Sequence, residues 1–427
     1  MSGRDREVGT RHETAPSTRW RRAGAGVLPT SRPSDCGLSP TERVVATIDG
    51  RELERVQTLS VVLDDYPLQQ ILGRPLVKDK WLLWNPVSKA ALKHWPGLAS
   101  RVMHGLAHSV VERTIEGAIA MGFDAVWGYY ESAFILVDAT TILEAFGAYH
   151  DVIEDGHGNL TYMYKGPAIP TPAAYESWPH FPDADEIAHD VYTVFTRLRR
   201  EYGERICICG ETPTDLYDGI QLAMGLAGIA RHVRTDPAFV RRWVARLEEV
   251  AVKTSMAMLD AGLTMILKSD DMAYKTGPQM DPRIIDEIFG PSYERLCMAV
   301  HQRGGRILLH ACGDNTRLFD LFIKWGFDGG HALETTSNVD IAYEKTTHGD
   351  RFTIVGGMGV DYLLTARSLP TEVVAATREV VRVCAPGGRF LLAPAHSHSD
   401  IDMTKVRLML DTAWQSDWPR TAQGERT

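Results

Sequence analysis

From Arg43 onward the chain alternates short apolar runs with longer stretches in which apolar residues recur every three or four positions, the pattern of repeated βα units. The short runs are Thr58 to Leu63, Asp124 to Tyr130, Ile206 to Gly210, Met265 to Ser269, Arg306 to Leu309, Gly330 to Leu333, Phe352 to Gly356 and Phe390 to Ala393. Eight such strands with helices between them predict an α/β fold, a closed (β/α)8 TIM barrel of parallel strands. The longer stretches carry their own start signals. Asp236-Pro237 joins a capping side chain to a proline at the first helical position, and Val240, Trp243, Val244, Leu247 and Val250 follow at helical spacing. Asp281-Pro282 repeats the device ahead of Ile284, Ile285, Ile288 and Phe289.

Three segments fall outside the alternation. Residues 132 to 182 hold a possible hairpin around Asp155-Gly156-His157-Gly158 and then a proline-rich run, which predicts an insertion after strand two that covers the catalytic face. Residues 1–42 are rich in Arg, Ser, Thr, Pro and Gly and lack apolar periodicity, so a disordered N-terminal tail, or a start codon placed too early, is expected there. The barrel is expected over 43–415, with a C-terminal tail over 416–427.

Composition narrows the function. A net charge of −9 argues against a nucleic-acid surface, and no basic stripe interleaved with aromatics appears. No apolar run approaches the roughly 18 to 20 residues that span a bilayer, and Arg21-Arg22 is followed by too short and too polar a segment for an export signal, so a cytoplasmic protein without membrane contact is expected. Six cysteines without a secretory signal suggest thiol or metal chemistry rather than disulfides.

In a barrel the chemistry gathers at the C-terminal ends of the strands. Those ends carry Asp64-Asp65, Tyr130-Glu131, Glu211, Asp270-Asp271, His310 with Cys312, Glu334, the Gly356-Gly357-Met358-Gly359 turn, and His396 with His398. His310 and Cys312 are two positions apart, so the pleat turns an imidazole and a thiolate to one side, which is half of a zinc site. Glu334 and His396 end other strands and supply the missing donors, with His398 as the alternative to His396. Strand-end acids also cap helices and fill ion-pair networks. Asp270 and Asp271 follow an apolar strand directly, so one of them points into the barrel mouth, where it can act in catalysis, and the other points outward.

The stretch from Ile266 to Pro282, with Asp270-Asp271-Met272-Ala273 and Gly277-Pro278-Gln279-Met280-Asp281-Pro282, is followed by the strand-His-x-Cys-Gly of Ile307 to Gly313. Together they resemble the uroporphyrinogen decarboxylase superfamily, which includes zinc-dependent methyltransferases acting on methylated corrinoid proteins. The resemblance implies a methyltransferase that moves a methyl group between a corrinoid, carried by a separate protein, and a small acceptor. Two departures accompany it. True decarboxylases carry an Arg-rich loop after the first strand, whereas Asp64-Asp65-Tyr66-Pro67-Leu68-Gln69-Gln70 has no Arg and would repel a polyanionic porphyrinogen. The methyltransferases take a last thiolate from the eighth strand, where this chain has Ala395-His396-Ser397-His398; nitrogen in place of sulfur leaves the metal more electrophilic. Glu131 falls near the decarboxylases' catalytic Asp, so a cofactor-free decarboxylase is the alternative, and a non-catalytic binding barrel the third reading. Asp155-Gly156-His157-Gly158-Asn159-Leu160 begins like a corrinoid-binding motif but ends in Leu, and reads as a turn.

Overall fold

The computed structural model describes residues 37–74, 96–130, 134–138, 140–333 and 337–418, without the side chains of 96–107. The N-terminal stretch 1–36 and two of the candidate site residues, Glu131 and Glu334, lie outside the described residues. The strands, in chain order, are β1 (Gln57–Ser60), β2 (Ala125–Gly128), β3 (Phe134–Leu136), β4 (Thr141–Glu144), β5 (Ala148–Glu154), β6 (Leu160–Pro167), β7 (Cys207–Glu211), β8 (Met265–Ser269), β9 (Ala273–Tyr274), β10 (Gly277–Pro278), β11 (Arg306–His310), β12 (Gly329–Leu333), β13 (Thr353–Met358) and β14 (Phe390–Pro394). A closed parallel barrel runs β1-β14-β13-β12-β11-β8-β7-β2, and each of its eight members falls on one of the expected apolar runs.

Period two explains why these runs are apolar throughout: each strand buries both faces. Inward residues Leu59, Ala125, Trp127, Cys207, Cys209, Met265, Leu267, Leu308, Val355, Leu391 and Ala393 form one packed cluster inside the barrel. Outward residues such as Val126, Ile208, Ile266, Ile307, Ile354 and Leu392 pack with the surrounding helices in a second, larger core.

The barrel's lower end is closed by a helix, Pro40–Ile48, that begins ahead of the expected boundary at residue 43. Ser39 caps it and Glu42 reaches back in a capping box, a helix start signal that the polar composition of this stretch had masked. Its Val44 and Ile48 enter the barrel's inner cluster. Arg43 from the same helix, with Arg55, converges on the fully buried carboxylate of Asp124 at 3.3 and 2.5 Å, and Thr58 donates its N–H to that carboxylate at 3.0 Å. A buried charge cluster of this kind ties helix, β1 and β2 together, because both guanidinium groups share the one Asp124 carboxylate as counter-charge.

The insertion is larger than the single hairpin expected. It is a four-stranded antiparallel sheet, β3-β4-β5-β6, whose last two strands turn through Asp155-Gly156-His157-Gly158. The Asp155 carboxylate accepts the N–H groups of His157 and Asn159 at 2.9 and 2.8 Å, an Asx-type turn. At the hairpin tip, the His157 ring stacks on Tyr66 with centroids 3.7 Å apart and its Nε2 lies 2.9 Å from Asp400 Oδ1. Those contacts hold the tip against the short helix Asp65–Leu72 that follows β1 and against the loop after β14, at the C-terminal rim of the barrel.

One strand also extends further than expected. β13 runs on through the glycines to Met358, with Gly356 at φ +132° and Gly357 at φ +97°. A Cβ on Gly356 would sit 2.8 Å from the Leu333 carbonyl oxygen, so glycine here permits a close backbone approach to β12 rather than ending a strand.

Candidate metal centre

The inward columns of the barrel change character at the top. Cys207 and Cys209 lead to Glu211, Met265 and Leu267 to Ser269, Leu308 to His310, and Ala125 to Trp127, so an apolar interior ends in a polar layer at the mouth. The Trp127 indole N–H donates to Glu211 Oε2 at 2.8 Å, and the Ser269 hydroxyl bonds to the other carboxylate oxygen. Burial pushes the Glu211 carboxyl up to about 8, with the negative charge of Asp215 adding to the effect. The Trp127 ring lies against His310, centroids 4.7 Å apart.

Three donors meet just above this layer. One donor atom from each of Asp271, His310 and Cys312 lies within 4.8 Å of the other two. His310 Nε2 is 3.4 Å from Cys312 Sγ, and the Cys312 N–H donates to Asp271 Oδ1 at 2.7 Å. Gly313, at φ +93°, lets the chain turn away immediately after the thiol: a Cβ there would stand 2.6 Å from the Ala273 carbonyl oxygen. Burial lowers the His310 imidazole to about 3, with His396 nearby lowering it further, so the ring is neutral and its nitrogen lone pair is available to a cation. Burial raises the Asp271 carboxyl, partly offset by the Cys312 N–H.

His331, a residue that sequence reasoning passed over, completes the arrangement from behind. β11 and β12 pair His310 with His331, and their Nδ1 atoms are 2.7 Å apart. His331 Nε2 in turn lies 3.0 Å from the Pro394 carbonyl oxygen. The available signal was its place at the inward phase of a short apolar strand beside the His310 strand, but a lone histidine in such a run reads first as packing.

The two adjacent aspartates take different directions, as the pleat requires. Asp271 faces the mouth with Ser269. Asp270 faces out, fully buried, and accepts N–H groups from Leu216 (2.7 Å), Tyr217 (3.0 Å) and Asp218 (2.7 Å) as well as the Tyr293 hydroxyl (2.6 Å). Lys268, equally buried, stands 3.4 Å from Asp270 and 3.0 Å from Asp215. The geometry therefore gives Asp270 the task of holding the loop after β7, not contact with a reacting group. His396 stands outside the three-donor group, with Nε2 3.7 Å from Asp361 Oδ1, and His398 is half-exposed with its Nδ1 accepting the Asp400 N–H at 3.0 Å.

With this geometry in view, the comparisons with known proteins decide the family. The family model for uroporphyrinogen decarboxylase (URO-D) matches residues 107–415, most of the chain. The chain belongs to the uroporphyrinogen decarboxylase family. Among solved structures, a methyltransferase from Methanosarcina mazei is similar at 15% identity with a TM-score of 0.60, covering 88% of this chain and 98% of that one. A B12-independent methionine synthase from a Shewanella species follows at 11% identity and a TM-score of 0.43, covering 72% and 85%. At 15% identity the likeness to the Methanosarcina mazei protein is one of fold. No curated protein sequence matches the chain.

For a member of the uroporphyrinogen decarboxylase family, the loop after β1 is acidic and already engaged. Asp64 bonds to the Ser397 hydroxyl, and Asp65 pairs with Arg113 at 3.1 Å. Burial raises both carboxyls. No helix among the described residues is long and apolar enough to cross a membrane.

Proposed function

We propose that the protein is a zinc-dependent methyltransferase that moves a methyl group between a corrinoid held by a separate carrier protein and a small acceptor. The observation that carries this reading is the meeting of a neutral imidazole, a thiol and a carboxylate, His310, Cys312 and Asp271, at the C-terminal mouth of the barrel. Nitrogen, sulfur and oxygen donors at this spacing suit Zn²⁺, which takes four ligands and, in catalytic sites, leaves one position for substrate. His396, which follows β14, and Glu334, which lies outside the described residues, remain candidates for that changing position.

Bound zinc would supply Lewis acidity, holding a thiol acceptor as its thiolate at neutral pH, where an unbound thiol of pKa about 8.5 is only a few per cent ionised. The chain's own residues do the rest. Trp127 braces the His310 ring, and the Cys312 N–H fixes one oxygen of Asp271 beside the thiol. The carrier's corrinoid would supply the methyl group and keep the electron pair of its cobalt–carbon bond, and a carboxylate at the mouth or solvent would take the proton released by the acceptor thiol.

The test is methyl transfer from free methylcobalamin to a panel of small thiols, with and without zinc. Zinc-dependent thioether formation, lost in Cys312→Ser, supports the reading. Decarboxylation of an acidic substrate that survives chelation would favour the family's other chemistry, and turnover of neither kind would favour a binding barrel.

A further inference from the structure

The two buried histidines are linked in a direction that chemistry fixes. A carbonyl oxygen only accepts, so the His331 nitrogen 3.0 Å from Pro394 O must be protonated, and His331 Nε2–H donates across the mouth to β14. His331 is 1% exposed and packed against the Pro394 carbonyl, the His310 imidazole and the Trp127 ring, surroundings that among the described residues offer no carboxylate to balance a second proton, so its other nitrogen, Nδ1, carries a lone pair. That lone pair faces His310 Nδ1 at 2.7 Å. Two facing nitrogens at this distance need one hydrogen between them, and His310 must provide it. His310 is then the Nδ1–H tautomer, and its unprotonated Nε2 is the atom that lies 3.4 Å from Cys312 Sγ.

We propose that His331 is a positioning residue: it fixes the tautomer and the ring plane of His310, so that the Nε2 lone pair is turned into the group formed with Cys312 and Asp271. A histidine ligand whose second nitrogen is held by a hydrogen-bond acceptor is oriented before the metal arrives and is made more basic. Here that acceptor is another imidazole, itself anchored to a backbone carbonyl, in place of the more usual carboxylate. No charge is added by this arrangement, so the donor set keeps the charge of Cys312 and Asp271 alone.

The backbone beside His331 is shaped for this role. Ala332 has φ +74°, a left-handed conformation unusual for a residue with a Cβ, and the register between β12 and β13 shifts between Gly330 and Leu333. The bulge lets His331 face inward while Leu333, two residues on, packs in the outer core. Trp127 closes the third side, its ring meeting His331 edge-on at 5.9 Å.

The inference deepens the metal-site reading, and its first test stands apart from that reading. Full-length protein labelled with 15N-histidine is examined by long-range 1H–15N correlation, with His310 assigned by the signals lost in His310→Asn. The expected result is a protonated Nδ1 and an unprotonated Nε2 on His310, with the reverse on His331, whether or not metal is bound. A protonated Nε2 on His310 overturns the proposal even if the protein is an active methyltransferase. The second test measures zinc affinity by chelator competition. His331→Leu removes the acceptor and should weaken zinc binding about 10- to 100-fold, whereas His331→Asn, which keeps an acceptor near the Nδ1 position, should recover most of that loss. Equal affinity in wild type and a folded His331→Leu also overturns it. Should His331→Leu fail to fold, the wild-type tautomer decides. Correct tautomers in a protein that binds no zinc leave this inference standing and remove the functional reading instead.

Discussion

Replacing Asp270 with Asn should unfold the protein more easily without touching the proposed chemistry. The carboxylate receives three backbone N–H groups and the Tyr293 hydroxyl, and it faces the buried Lys268 ammonium. An amide offers only one oxygen. If its NH2 takes the Oδ1 position, it confronts the Asp218 N–H; if it takes Oδ2, it confronts the Leu216 N–H. One buried donor is stranded either way, at a cost of about 1–3 kcal/mol. Loss of the charge removes one of the two carboxylates near Lys268, and breaking a buried pair outright costs about 3–5 kcal/mol, a figure tempered here because Asp215 remains at 3.0 Å. These costs share groups and do not add simply, so we expect a loss of about 3–5 kcal/mol overall. Urea titration followed by tryptophan fluorescence measures it, with zinc content of the folded fraction unchanged. A variant within about 1 kcal/mol of wild type that nonetheless loses turnover about 100-fold or more would refute the reasoning and return Asp270 to the reacting group.

Other consequences follow from the same structure. Asp124→Asn takes the shared counter-charge from Arg43 and Arg55 and should cost about 3–5 kcal/mol in the same titration; a neutral effect would mean the lower cluster contributes nothing. Gly313→Ala must place a Cβ 2.6 Å from the Ala273 carbonyl oxygen at φ +93°, so it should both destabilise the fold and weaken zinc binding through the adjacent Cys312, as read by chelator competition. Glu211 holds its proton in the folded state up to about 8 against an ordinary 4.5, so between those values the folded protein binds more protons than the unfolded one and stability falls as pH rises. Glu211→Gln should therefore gain stability relative to wild type as pH increases from 4.5 to 8; a difference that stays flat with pH would show that Glu211 is ionised.

The barrel was legible because each of its strands buries both faces, and eight runs such as Met265 to Ser269 stand out against amphipathic helices with Asp-Pro starts. The insertion was legible only at its turn. Its strand Ala148–Glu154 mixes Tyr149, His150 and Asp151 with apolar residues, because much of that small sheet is solvated, and no clean alternation survives. At the site, the two-residue spacing of His310 and Cys312 carried through to a shared centre. The choice between Asp270 and Asp271 needed the register of β8 against β7 and β11, which a single strand's sequence does not contain. Asp271 then enters as a partner of the His and Cys, where the sequence suggested a separate catalytic acid, while His396 stands off beside Asp361. His331 was hidden because its role depends on a neighbouring strand and on a bulge at Ala332 that no residue type announces.

The most direct test of the account is the zinc content of the purified full-length protein, wild type beside Cys312→Ser and Asp271→Asn, by elemental analysis after extensive dialysis. The account predicts about one zinc per wild-type chain, little in Cys312→Ser and a weakened, dialysable ion in Asp271→Asn, as expected when one of a small set of first-row metal ligands is removed. The same zinc content in all three proteins, or none in any of them after growth with added zinc, would contradict the central claim that these residues form a metal centre.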